Sequence, residues 1–121
     1  MKTDIEMLQG VWRVVSLEID GRTISGAALD GAIITLQGDR FTSIGMGAQY
    51  GGTIEVDATL NPNTFNMNFK TGPEKGNVNL GIYELNGDSW RICLATKGTT
   101  RPREFVATPG TGIALEVLKR N

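Results

Sequence analysis

Short turn signals recur along this chain. Gly stands beside Asp or Asn at residues 20–21, 38–39 and 86–88, and such pairs favour the tight turns of β-hairpins. The sequence shows no helical pattern long enough for a crossover helix, so successive strands are expected to pair antiparallel. The turns therefore predict an all-β, up-and-down arrangement, which a closed barrel satisfies.

Eight segments have the apolar alternation or the β-branched content of strands. A Thr-x-x-Glu capping box at residues 3–6 predicts a short N-terminal helical turn before them. Residues 23–31 are expected to form a loop with one helical turn, and residues 101–105 are ambiguous between a short strand and a turn. At 121 residues the chain is predicted to be a single domain over 1–121. The predicted strands are 11–19, 32–37, 40–44, 50–57, 64–69, 80–85, 89–95 and 113–120.

The first predicted strand carries apolar residues on both faces. Gly10 precedes it and allows a close approach of neighbouring chain, while Ile5 and Leu8 could plug one end of a barrel. We therefore expect Trp12 to lie in a closed, packed barrel end. Strict alternation separates Trp12 and Val14 from the apolar residues of the opposite face, namely Val11, Val15, Leu17 and Ile19.

The composition excludes several classes of function. Lys and Arg number 12 and Asp and Glu number 13, for a net charge of −1, which gives no electrostatic reason to bind nucleic acid or an anionic membrane. Histidine is absent, so a Ser-His-Asp triad and a His-based zinc site are excluded. The Gly-rich stretches lack the Gly-Lys-Ser/Thr of a phosphate loop. No metal and no cofactor is expected.

The single cysteine, Cys93, excludes an internal disulfide and favours a reducing, cytoplasmic compartment. Without histidine to act as its base, this thiol is interpreted as inert packing. Residues 1–4 contain one basic residue and no apolar stretch, so no signal peptide is expected there. No apolar run approaches the roughly 20 residues of a membrane helix, and no membrane partner is expected.

Several segments resemble the lipocalin-like branch of the calycin barrels. Gly10-x-Trp12, after a short helical turn, is similar to the first-strand signature of lipocalins. Residues 8–21 further resemble a group of small bacterial lipocalin-like domains of mostly unassigned function. The other segments that match this group, in chain order, are 38–41, 81–85, 92–95, 101–105 and 115–120.

This resemblance implies an antiparallel lipocalin-like β-barrel of eight to ten strands that is closed at one end. It also implies that an arginine near the last strand packs on Trp12, a place that Arg101 or Arg103 would fill. Gly10, Trp12 and the two arginines thus form the structural signature of the family. Because that family has no general assigned activity, the resemblance implies a fold more than a function.

An open end opposite Trp12 would create a binding site for a small apolar ligand. Its mouth is expected at residues 45–47 and 20–31, where small residues impose no packed lid. Met67 could reshape around a ligand, and a few polar groups such as Ser43 could anchor it. The lumen candidates are Phe41, Ser43, Ile54, Phe65, Met67 and Tyr83.

Two other functions remain open from the sequence. Bulky side chains could fill an eight-stranded barrel completely, which would make it a structural or protein-interaction domain. An enzyme with carboxylate acid–base chemistry is least expected, since only Glu18, Glu84 and Tyr83 would support it. The side chains that could fill the barrel are Trp12, Ile34, Leu36, Phe41, Ile54, Phe65, Met67, Phe69, Leu94 and Leu115. The oligomeric state is left open.

Overall fold

A computed structural model of the chain describes residues 3–24, 26–97 and 100–121. One residue of the loop predicted at 23–31, and two residues between the predicted strands 89–95 and 113–120, lie outside these described residues. The described ranges contain one α-helix, one turn of 3-10 helix at Gly26–Leu29 and nine strands. Their bounds are α1 Asp4–Met7, β1 Gly10–Ile19, β2 Arg22–Thr23, β3 Ile33–Gln37, β4 Arg40–Gly45, β5 Ala48–Asp57, β6 Asn63–Thr71, β7 Val78–Asn86, β8 Ser89–Ala95 and β9 Ile113–Arg120.

All strands belong to one antiparallel sheet that closes on itself. From β3 to β9 each strand pairs with the next one in the chain, and β1 pairs with both β3 and β9. These eight strands form the barrel, while the two-residue β2 extends the sheet beside the end of β1. The predicted all-β, up-and-down barrel with a short N-terminal helical turn is therefore confirmed.

Most predicted strands agree with the structure to within two residues at each end. The capping box is present, because the Thr3 hydroxyl accepts from the Glu6 backbone and the Glu6 carboxylate accepts from the Thr3 backbone. The predicted helical turn within 23–31 is the 3-10 turn. The strand β2 was not predicted, because two residues carry too little pattern to be seen in a sequence.

A β-bulge in β1 corrects the predicted faces of this strand. The register to β9 shifts between Val14 and Ser16, so Val15 is the extra residue and points out, 38% exposed. Leu17 returns to the inner face that carries Trp12 and Val14. Strict alternation over the whole strand predicted that Leu17 and Trp12 lie on different faces of the sheet. That prediction was wrong beyond Val14.

The connection between β8 and β9 packs against the outside of the barrel. Its residues 101–105 form no strand, which resolves the ambiguity of the sequence. The Phe105 ring lies 4.0 Å beneath the Arg91 guanidinium carbon, and the Cys93 thiol donates to the Glu104 carbonyl at 3.4 Å. Burial raises the pKa of Cys93 above its usual value. The connection thus covers outward-facing Cys93 and Ile82, which would otherwise be exposed apolar groups on the sheet.

Trp12 closes one end of the barrel together with the N-terminal helix. Its side chain is fully buried, and the indole N–H donates to the carbonyl of Leu8 at 2.8 Å. The Trp90 ring lies 5.5 Å away, between ring centroids. The Arg120 guanidinium carbon lies 4.2 Å from the Trp12 ring centre, as expected for a cross-strand pair, since Trp12 and Arg120 are directly opposite on β1 and β9.

The arginine on Trp12 is therefore neither Arg101 nor Arg103, and that expectation was wrong. Arg120 reaches this place because the last strand ends at the closed end of the barrel. Its two guanidinium NH groups also donate to the carbonyls of Gln9 and Met7, at 2.9 and 2.6 Å. Arg101 instead donates to the carbonyls of β6 and β7 from outside, at Phe65 and Gly81, and Arg103 is exposed.

Replacing Trp12 by Ala is expected to lower the free energy of unfolding by about 3–5 kcal/mol, as for large-to-small changes in packed cores. The loss follows from the cavity it would leave between α1 and Trp90. Urea-induced unfolding of the wild type and Trp12→Ala measures it. A loss below about 1 kcal/mol would contradict a packed barrel end.

The contact between Arg120 and Trp12 is tested separately by a double-mutant cycle. Arg120→Ala and Trp12→Ala are expected to couple by about 0.5–2 kcal/mol, the range of a cation–π contact. Arg103→Ala is the matched control and should be additive with Trp12→Ala to within roughly 0.5 kcal/mol. If both arginines were additive with Trp12→Ala, the result would contradict a stabilising contact between Arg120 and Trp12.

Candidate functional site

A cavity of about 320 Å³ occupies the half of the barrel that lies opposite Trp12. The 3-10 turn and the turn between β4 and β5 border its mouth, where Ile44 and Met46 are 43% and 53% exposed. Both segments that were expected to form a mouth, 45–47 and 20–31, contribute to its wall through Gly45, Met46 and Leu29. The wall is mostly apolar, with Val14, Leu17, Ile19, Ala32, Ile34, Met67, Phe69, Leu94 and Ala114 among its residues.

The barrel is hollow at one end because its inner side chains differ in size along the axis. In the closed half, large rings fill the space, and Phe65 lies so close to Gly81 that a Cβ there would come within 2.5 Å of the ring. In the open half, the inward residues include Ala32, Gly45 and Ala114. Gly45 packs directly on Ala32, since a Cβ at Gly45 would lie 2.8 Å from that methyl group. These small residues leave a volume that the neighbouring side chains do not fill.

Glu116 places a carboxyl group in this cavity. It lies between Ala114 and Leu118 on the inner row of β9, and it stands directly opposite Leu17 on β1 and Ile92 on β8. Its carboxylate has no hydrogen bond or ion pair to any of the residues that the structure describes. The residue as a whole is partly accessible, and it lines the wall of the cavity. Burial raises the pKa of Glu116 to about 7.

A second polar group on the wall is the amide of Asn79. It is 6% exposed and stands opposite Met67 on the inner face. Within the described ranges its side chain makes no hydrogen bond, so its donor and acceptor groups remain available to a ligand. Ser43 and Tyr50 add hydroxyl groups to the same wall. The cavity thus combines an apolar body with a few polar groups, the usual composition of a small-molecule site.

The charged groups of the cavity wall are all acidic. Glu74, from the connection between β6 and β7, is the other charged residue beside Glu116, and the described part of the wall includes no Lys or Arg. Basic side chains occur outside it, where Arg22 and Lys97 line a second, rim pocket of about 340 Å³. The second pocket shares Ile19 and Thr96 with the cavity, so these two cations adjoin the acidic wall without forming part of it.

The structure divides the predicted lumen residues into two groups. Ser43 and Met67 line the cavity. The other four belong to the packed interior of the barrel: Phe41, Ile54, Phe65 and Tyr83. Tyr83 has a separate structural partner, because its hydroxyl donates to the Asp4 carboxylate at 2.6 Å and fixes α1 to the barrel. Burial and this hydrogen bond raise the pKa of Tyr83 above its usual value.

The carboxylates considered from the sequence face away from the lumen. Glu84 is exposed on the outer face, 3.0 Å from the Arg91 guanidinium, and Glu18 pairs with Thr23 and Leu115 on the outward row. The inward carboxyl is Glu116, which the sequence did not single out. Leu115 was expected inside, and that expectation was wrong, because the inner row of β9 is Ala114, Glu116 and Leu118.

Two other kinds of site were searched for in the described residues. No group of three or more His, Cys, Asp or Glu residues there could hold a metal ion. No helix in the described ranges is long and apolar enough to cross a membrane. The barrel cavity, which is more extensively lined by apolar residues than the pocket at Arg22 and Lys97, is therefore taken as the candidate site.

The raised pKa of Glu116 makes stability depend on pH. The unfolded chain ionises this group near 4.5 and the folded chain near 7, so between these values the folded state binds more protons and loses stability as pH rises. Glu116→Gln removes this penalty. Urea unfolding at pH 5 and at pH 8 measures the free energy of unfolding of the wild type and of this variant. The advantage of the variant is expected to grow by on the order of 3 kcal/mol from pH 5 to pH 8. Glu84→Gln, which removes an exposed negative charge, is the control, and an equal gain there would contradict the assignment.

Comparisons with known proteins were made against protein-family models, curated proteins and solved structures. None of the three found a match to this chain. The β-barrel itself is compatible with a lipocalin-like binding domain, and the argument for function therefore rests on the cavity and its side chains.

Proposed function

We propose that this chain is a lipocalin-like binding domain for a small, mainly apolar molecule held inside the barrel. The observation that supports this most directly is the cavity of about 320 Å³, open at one end and walled by apolar side chains. Its volume lies at the lower end of the roughly 300–1,000 Å³ of small-molecule sites. About ten water molecules occupy the same volume in liquid water. The ligand is therefore expected to have on the order of ten non-hydrogen atoms.

The alternative function, a filled barrel without a ligand, explains the packing of the closed half but not the cavity in the open half. The closed half is packed by Trp12, Trp90, Phe65 and Tyr83, and this half needs no ligand to be stable. The open half keeps Ala32 and Ala114 where larger apolar residues would fill the space. Since empty space in a core costs stability, an occupant of the cavity is the simpler interpretation.

A second candidate function is proton abstraction by Glu116. A carboxyl group with a pKa of about 7 is well suited to act as a general base at neutral pH. Against this function, no described side chain hydrogen-bonds to Glu116 and orients it, as catalytic bases are usually oriented. Binding therefore stands ahead of catalysis in this proposal.

The proposal is tested with 1-octanol, a neutral molecule of about ten non-hydrogen atoms. Isothermal titration calorimetry is expected to give one site with a Kd on the order of 10 µM, within the usual range of affinity per atom. Met67→Trp, which extends a wall residue into the cavity, should weaken binding at least tenfold.

The matched control is Ala58→Trp, because Ala58 is exposed in the turn between β5 and β6 at the other end of the barrel. This variant should bind 1-octanol like the wild type. Equal binding by Met67→Trp and the wild type would overturn the binding function in favour of a domain without a ligand, and so would a wild type that binds neither 1-octanol nor its amine or carboxylate analogue.

A further inference from the structure

We propose that the ligand carries a cationic amine, which Glu116 and Asn79 receive inside the cavity. This inference rests on the proposed binding function and specifies the chemical class of the ligand. It stands on three observations: a carboxyl group without a partner, the absence of basic side chains from the described part of the wall, and a buried amide without a partner among the hydrogen-bond acceptors of that wall.

The first observation concerns the position of Glu116. The bulge at Val15 fixes the register so that Leu17 and Glu116 face each other on the inner row. Apolar residues flank Glu116 along its strand and across to both neighbouring strands. A carboxylate isolated in this way is unfavourable unless a donor or a positive charge accompanies it. Within the described residues the protein supplies neither, so a ligand is the natural source.

The second observation is the charge of the cavity, which selects among ligand head groups. A fatty acid would bring its carboxylate beside Glu116 and Glu74 with no described Lys or Arg on the wall to neutralise it. Like charges in a site of low dielectric repel strongly. An alcohol avoids the repulsion but carries no charge to pair with the carboxylate. An ammonium group is the head group that the cavity complements.

The third observation is the set of hydrogen-bond acceptors. An ammonium group offers three donors and no acceptor, so its site must provide acceptors. The amide oxygen of Asn79 and the hydroxyl oxygens of Ser43 and Tyr50 lie on the same cavity wall as Glu116. Asn79 is 6% exposed, has no described partner for its side chain, and lines the cavity. The wall therefore satisfies a protonated amine with uncharged acceptors in addition to one carboxylate.

The pairing has a definite pH dependence. Leu17 from β1 and Ile92 from β8 face Glu116 and do not titrate; Glu74 and Tyr50 are the other titratable groups on the described wall. Primary amines stay protonated up to about pH 10, while Glu116 ionises near pH 7. Affinity for an amine should therefore be highest above pH 7 and fall, by up to tenfold per unit, as the pH drops below it.

The experiment compares three probes of equal chain length: octylamine, 1-octanol and octanoate. By isothermal titration calorimetry at pH 8, octylamine is expected to bind at least tenfold tighter than 1-octanol, and octanoate more weakly than both. At pH 5.5 the preference for octylamine over 1-octanol should shrink about tenfold. The 1-octanol affinity should change little with pH, which separates the head-group effect from any change in the barrel.

Three variants assign the effect to the cavity carboxyl. Glu116→Gln should lower the preference for octylamine over 1-octanol at least tenfold at pH 8 and abolish the pH dependence of this preference. Glu84→Gln removes an equal charge from the outer face and should leave all three affinities as in the wild type. Glu74→Gln, at the mouth, should have a smaller effect than Glu116→Gln.

The outcomes distinguish this inference from the binding function beneath it. If 1-octanol binds but octylamine binds no tighter, or octanoate binds best, the amine inference is overturned and the binding function stands. The same holds if Glu116→Gln retains the full preference for octylamine. If no probe binds the wild type at either pH, the binding function and the amine inference both fail.

Discussion

The pairing of β1 with β9 is the interaction on which the rest of the structure depends. It converts an open sheet into a barrel and so removes the exposed strand edges that would otherwise pair with other chains. The same ladder brings Arg120 over Trp12 at one end and Ala114 opposite Ile19 at the other. The closed end and the open end of the barrel are thus built by two ends of one strand pair.

The bulge at Val15 decides what this strand pair places inside. Without it, the residues of β1 after Val14 would face the opposite way, and the register that sets Leu17 against Glu116 would be lost. With it, the inner row of β1 is apolar from Trp12 to Ile19. One extra residue in one strand therefore determines the composition of the cavity wall.

The sequence was sufficient for the architecture but not for the orientation of side chains. Turn dipeptides and local alternation specify hairpins, so strand bounds and up-and-down order followed from short-range chemistry. In β9, however, Ile113, Leu115 and Val117 form a more hydrophobic row than Ala114, Glu116 and Leu118. Hydrophobicity alone therefore favours the wrong inner face, and only pairing with both neighbouring strands settles it.

The arginine on Trp12 was missed for a related reason. The resemblance places an arginine near the last strand, and Arg101 and Arg103 precede that strand in the sequence. The long connection from β8 instead stays outside the barrel, where Arg101 donates to carbonyls of β6 and β7. Arg120 is placed by cross-strand register, a long-range relation that no local pattern encodes.

The inner row of β9 also shows how stability and binding compete in a small barrel. A Leu at Glu116 would bury apolar area and carry no desolvation penalty, so packing alone gives no reason for a carboxyl group there. In the closed half, Tyr83 and the Trp12 indole have hydrogen-bond partners, while the indole N–H of Trp90 is buried without one. In the hollow half, Glu116 and Asn79 are the unpaired groups that line the cavity. Because a well-packed, hydrogen-bonded floor stabilises the barrel, the open half can retain polar groups that a ligand, rather than the fold, satisfies.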